Sequence, residues 1–77
     1  MPRFYFDVFD GDQITRDEIG IDFPDEDEAA KQAMAALSDI VHDGLPGGPQ
    51  GEFWVKVRDE SGAYIFAAEL KFKADWL

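Results

Sequence analysis

Asp10, Asp12, Asp17 and Glu18 stand close together in a 77-residue chain with 17 acidic and only 7 basic residues. Clustered carboxylates are hard oxygen ligands, so the first chemistry they suggest is calcium or magnesium binding. Their spacing argues against it. An EF-hand-type loop needs an oxygen donor at its third ligand position and a glycine at its sixth residue. Counted from Asp10, Ile14 and Thr15 fall on those two places. Paired-carboxylate hydrolysis needs two acids facing each other across a cleft, and so short a chain has little material for one. His42 is the single histidine and sits where a helix is expected to end, a position at which the helix dipole favours a cation. Ser38 and Ser61 have no histidine in any obvious relation to them, and there is no cysteine for thiol chemistry or a disulfide. Gly47-Gly48 lies between Pro46 and Pro49 with no Lys-Ser/Thr after it, so it is not a phosphate loop. The expectation is a non-enzyme with no catalytic residues, no metal site and no cofactor.

A different pattern does stand out, and it depends on how the chain folds. Residues 3–9, Arg-Phe-Tyr-Phe-Asp-Val-Phe, are aromatic and β-branched and read as a strand. Strand alternation puts Phe4, Phe6 and Val8 on one face and Arg3, Tyr5, Asp7 and Phe9 on the other. Asp10-Gly11 signals a hairpin turn. A second strand is expected over roughly 13–23, interrupted near Gly20 by a bulge or bend and protected as an edge by its acidic residues. Residues 52–58 alternate again, with Phe53, Val55 and Val57 opposite Trp54, Lys56 and Arg58. After the Asp59-Glu60-Ser61-Gly62 turn, a fourth strand over about 63–73 sets Phe66, Ala68, Leu70 and Phe72 against Ile65, Ala67, Glu69, Lys71 and Lys73. Trp76 and Leu77 are expected to fold back.

One helix organises these strands, from about Glu26 to Asp43. Asp25 and Glu28 form an Asp-x-x-Glu capping pair, and three acids fill the first turn, where the dipole favours them. Ala30, Ala33, Leu37, Ile40 and Val41 recur at helical spacing, with Met34 at the margin. Gly44 fits a left-handed stop, and Pro46 opens a Gly/Pro-rich crossover loop through Gly51. The expected fold class is therefore α+β. Its order is ββαββ, with a four-stranded antiparallel or mixed sheet and one helix packed on one face, all in a single domain over 1–77. Arg16-Asp17-Glu18-Ile19-Gly20 recurs as Arg58-Asp59-Glu60-Ser61-Gly62, an echo that shared turn chemistry or a duplicated hairpin explains equally well.

On that fold no second helix remains to cover the other side of the sheet. The uncovered side carries Tyr5, Phe9, Trp54 and Ile65 together with Arg3, Lys56, Arg58, Lys71 and Lys73, five of the 7 basic residues. An open face bearing aromatic side chains is a mark of an interaction surface. The candidate interaction face is Tyr5, Phe9, Trp54, Lys56, Arg58, Ile65 and Lys71. The partner expected there is a second copy of the chain, as a homodimer, or another protein. Single-stranded nucleic acid is the alternative, since bases stack on strand aromatics flanked by Arg and Lys.

Charge weighs on that choice. The formal net charge is −10, and residues 7–28 hold ten acids against Arg16 alone. Such a charge repels nucleic acid and anionic membranes. No apolar run approaches a bilayer span and no signal peptide is evident, so a cytoplasmic protein is expected.

Phe4-Tyr5-Phe6-Asp7-Val8 with Asp10-Gly11, Asp17-Glu18-Ile19-Gly20, Glu28-Ala29-Ala30, Leu45-Pro46-Gly47-Gly48 and Val55 through Gly62 together resemble a family of small single-domain proteins common in rhizobia and related soil bacteria, a domain of unknown function. The resemblance covers essentially the whole chain. It implies one domain in a bacterial cytoplasm, and it brings no activity, cofactor or catalytic residue.

Overall fold

In the computed structural model, which describes residues 1–43 and 50–77, the strands are β1 (Arg3–Phe9), β2 (Ile14–Thr15), β3 (Ile21–Asp22), β4 (Gln50–Arg58) and β5 (Tyr64–Lys73), with helix α1 (Glu26–Asp43) between β3 and β4. All pairings are antiparallel, in the order β2-β1-β4-β5, with β3 also on the outer edge of β1. The fold is α+β, an open five-stranded sheet with one helix on one side. The expected second strand is split into β2 and β3, which pair with opposite ends of β1. The expected Gly44 stop and the crossover loop as far as Pro49 lie outside the described residues; Gln50 and Gly51, expected in that loop, instead begin β4 and pair with Lys73 and Phe72.

The helix begins as its sequence dictates. Asp25 caps it by accepting the Glu28 N–H at 2.9 Å. The reciprocal half of the capping pair is replaced, because the Glu28 carboxylate meets Lys31 at 3.3 Å. The buried stripe is rotated from the expected one: Ala29 and Ala33 are fully buried, and Ala36, Leu37 and Ile40 pack beside them. An alanine-rich helix offers several nearly equivalent stripes, and the closest approach to the sheet selects among them. α1 lies across β4 and β5, over a core that joins Ala29 and Ala33 to Phe4, Val55 and Val57. Phe23, at the entrance to the helix, covers β1 instead, with its ring 6.4 Å from Phe4 and edge-on to Phe6 at 5.9 Å.

Three placements differ from those expected. A β-bulge between Val57 and Arg58 sets Arg58 opposite Tyr64 and leaves Ile65 out of the ladder, so Ile65 packs against the core cluster and not on the helix-free side. One extra residue in a strand inverts side-chain parity locally. Leu70 points to the helix side but is 41% exposed, because the cover does not reach it. Trp76 is 97% exposed and Leu77 fully so; neither folds back. Among the described residues, no helix is long and apolar enough to cross a membrane.

Candidate functional site

The helix-free side is built from direct cross-strand pairs. β1 and β4 set Tyr5 opposite Arg58, Asp7 opposite Lys56, and Phe9 opposite Trp54. These pairs form two zones of different character.

The first zone is a closed polar lock. Asp7 and Arg58 are both buried. Arg58 grips the carboxylate with two prongs, Nε to Oδ2 and Nη2 to Oδ1, each at 2.9 Å. The Tyr64 hydroxyl donates to Oδ2 at 2.7 Å and the Asp17 N–H donates to Oδ1 at 3.1 Å. Two donors on each oxygen leave the carboxylate with no free acceptor site of consequence. The remaining reach of Arg58 goes to the Asp17 carbonyl at 2.6 Å, and its guanidinium lies 5.1 Å from the centre of the Tyr5 ring. Burial alone would push the Asp7 carboxyl up, but the hydrogen bonds from Arg58, Tyr64 and the Asp17 backbone outweigh it and hold the group at about 2. The same contact with Asp7 raises Arg58 and Tyr64. An acid so held and so fully bonded cannot accept a further proton from a substrate near neutral pH.

Asp17 is the keystone of the segment that closes this zone. β2 and β3 leave a gap on the edge of β1, and the Asp17 side chain fills it: Oδ2 accepts the Phe6 N–H at 3.1 Å. Oδ1 accepts the N–H groups of Ile19 and Gly20, both at 3.0 Å. Burial opposes the charge of Asp17, yet these backbone donors keep its carboxyl below the usual range. The turn ends on Gly20 at φ +78°, where a Cβ would stand 2.7 Å from Arg3 Cγ and 2.8 Å from a ring carbon of Tyr5. The segment thus lies directly on Tyr5. Asp59 makes a related turn before Gly62: its Oδ1 accepts the N–H two residues on, from Ser61, as Asp17 does from Ile19, but then that of Ala63, while the Gly62 N–H goes to the Asp59 carbonyl. The sequence echo is therefore matched by shared turn chemistry.

The second zone is aromatic, bordered by charged side chains and only partly covered. Phe9 and Trp54 lie ring against ring, centroids 5.8 Å apart at 34°, both half-buried. Lys56 Nζ stands 4.5 Å from the centre of a Trp54 ring. On β5 the neighbours are Glu69, opposite Trp54, and Lys71, opposite Glu52. Of the residues expected on the face, Phe9, Trp54, Lys56 and Lys71 gather here. Tyr5 and Arg58 belong to the polar lock, and Ile65 faces the core. Asp7, Asp17 and Tyr64 were not anticipated as partners. Parity already placed Asp7 and Arg58 on one side, so register alone was missing.

Of the four acids at 10–18, Asp10 and Asp17 are engaged in local structure, while Asp12 and Glu18 are exposed. Asp10 Oδ1 closes its turn by accepting the Asp12 and Gln13 N–H groups at 3.0 and 2.9 Å. Among the described residues, no three His, Cys, Asp or Glu side chains come together as a metal site. His42 is exposed in the last turn of α1.

No curated protein and no solved structure matches the chain. A family model does match, over residues 3–71, from the first residue of β1 to near the end of β5. The chain belongs to the family of the domain of unknown function DUF6894.

Proposed function

We propose that the chain is a non-enzymatic protein-interaction module whose contact surface is the open end of the helix-free side: Phe9, Trp54, Lys56 and Lys71. The observation that carries this reading is the Phe9–Trp54 ring pair, only partly covered on a sheet surface beside two lysines. Aromatic anchors are characteristic of protein contact sites. The neighbouring polar lock supports a scaffold role, since its one buried carboxylate is saturated by its own fold. The partner suited to the site presents an apolar side chain next to acidic groups. We place this function in the cytoplasm of a bacterium, as the resemblance implies.

Single-stranded nucleic acid is the second reading, on the same rings and on Lys56, Lys71 and Lys73. The net charge of −10 counts against it, because it weakens every phosphate contact. A photo-reactive residue at position 9, compared with one at Ser38 on the wet side of α1, separates the possibilities in cells. The proposal expects protein adducts from position 9 that disappear in Trp54→Ala and are absent from position 38. Adducts to nucleic acid would favour the second reading, and identical adducts from both positions would remove the proposal.

A further inference from the structure

We propose that two copies of this chain associate through β5, edge to edge and antiparallel about a two-fold axis at Leu70, to form one continuous sheet. This inference does not rest on the function assigned to the helix-free side: it uses the rim of the sheet, shares only Lys71 with the contact surface proposed there, and is read separately at Leu70, which lies on the other side.

The two rims of the sheet are unlike. On the β1 side the edge is broken into two-residue strands, and the Asp17 carboxylate occupies the Phe6 N–H. Such an edge cannot template another strand. On the far side β5 runs for 10 residues, and among the described residues no strand pairs with its outer edge. Beyond the bulge, the stretch from Phe66 to Lys73 is in regular register with β4 and contains no proline. A long regular edge with unpaired backbone groups is a ready partner for another strand.

The side chains select both the occupant and the register. Across an antiparallel pair, opposed residues share a face, so a two-fold pairing must centre on a residue. Centred on Glu69 it would oppose Glu to Glu, and centred on Lys71 it would oppose Lys to Lys; like charges directly opposite are unfavourable. Centred on Ala68 it would run into the bulge at Ile65. Centred on Leu70, Glu69 of each copy faces Lys71 of the other, twice, on the helix-free side. On the helix side Leu70 meets its own copy, which covers the 41% of it that the monomer leaves wet, and Ala68 faces Phe72. The segment from Ala67 to Lys73 is thus self-complementary in charge and shape. The helices also have room. Strands spaced about 4.8 Å apart, with each helix riding on β4 and β5, put the two helix axes about 10–14 Å apart, at or just beyond packing distance.

The test uses the full chain and sedimentation over roughly 1 µM to 1 mM, the range in which a small interface of this size is populated. The parent should be a dimer at the upper end. Lys71→Glu should weaken it roughly thirtyfold, because two attractive cross-strand pairs become repulsive. Glu69→Lys with Lys71→Glu should restore the dimer. Leu70→Cys provides a readout independent of those charges, in a chain without native cysteine. On the axis the two thiols lie within disulfide reach and should link on oxidation. Ala67→Cys should not link, since in this register its copy lies about 20 Å away. A monomer throughout the range overturns the inference. So does a dimer that survives Lys71→Glu, or one in which Ala67→Cys links and Leu70→Cys does not.

Discussion

Arg58 and Asp7, 51 residues apart in sequence, meet as a two-pronged ion pair with both contacts at 2.9 Å in the middle of the side of the sheet that has no helix. This pair explains why half of that side is closed without a second layer. The sheet supplies the acid and the base, the segment at 16–20 supplies the lid, and the tyrosines at 5 and 64 flank the charges. What remains open is the Phe9–Trp54 end.

Removing one partner of the pair should be far worse than removing both. Arg58→Met strands a buried carboxylate, and Asp7→Leu strands a buried guanidinium; each should cost about 3–5 kcal/mol. The double variant replaces both charges with apolar side chains and should be more stable than either single variant. Urea denaturation of the four proteins measures the coupling. Additive losses would mean that the pair does not hold the zone together.

Acid should loosen the same zone. Asp7 is held at about 2 and Asp17 is also lowered, whereas in the unfolded chain both titrate in the ordinary carboxylate range. Their folded values lie below their unfolded ones, so their stabilisation is complete above about pH 4–5 and is lost as pH falls toward 2. Thermal melts of the parent and of Asp7→Asn between about pH 6 and pH 2 isolate the Asp7 share. The gap between the two proteins should narrow as pH falls through that window; a constant gap would contradict the linkage.

Two glycines in related turns should respond unequally. Gly20 and Gly62 both have positive φ, +78° and +89°. Alanine at Gly62 would meet nothing within 4 Å, so only the backbone cost of about 1–2 kcal/mol applies. Alanine at Gly20 adds collisions with Arg3 and Tyr5 and should cost at least about 1 kcal/mol more. Equal losses would mean that the 16–20 segment does not rest on Tyr5.

Adjacent residues on β4 should separate the two sides of the sheet. Phe53 is fully buried and stacks with Phe72, centroids 6.4 Å apart, so Phe53→Ala should cost about 3–5 kcal/mol. Trp54→Ala loses a ring contact and part of a covered surface and should cost about 1–2 kcal/mol, leaving the fold intact. Chemical denaturation at low concentration checks both. A larger loss at Trp54 than at Phe53 would invert the face assignment.

Much of this architecture is legible from residue types alone. The alternation in 3–9 and 52–58 placed Phe53 inside and Trp54 outside, and the acids and cap before Ala29 fixed where α1 begins. The parts that were not legible share one physical cause, tertiary register. Arg58 and Lys56 have the same parity and charge, yet Arg58 is sealed and Lys56 is not, because Asp17 and Tyr64 converge on one and not the other. Ile65 changed sides because of a bulge that leaves no sequence mark. The helix stripe shifted from Ala30 toward Ala29 and Ala36 because alanines on neighbouring faces look alike until a sheet selects one.

The most direct test of the interaction reading is the oxidation rate of the Trp54 ring by hydroxyl radicals, measured by mass spectrometry in living cells and in dilute purified protein. Trp76, 97% exposed, and Tyr64, 57% exposed, serve as references in the same molecule. If a partner protein sits on the Phe9–Trp54 end, oxidation of Trp54 relative to both references should fall several-fold in cells, and position 9 should be protected with it. An unchanged ratio in cells would contradict the account and leave the ring pair as ordinary surface.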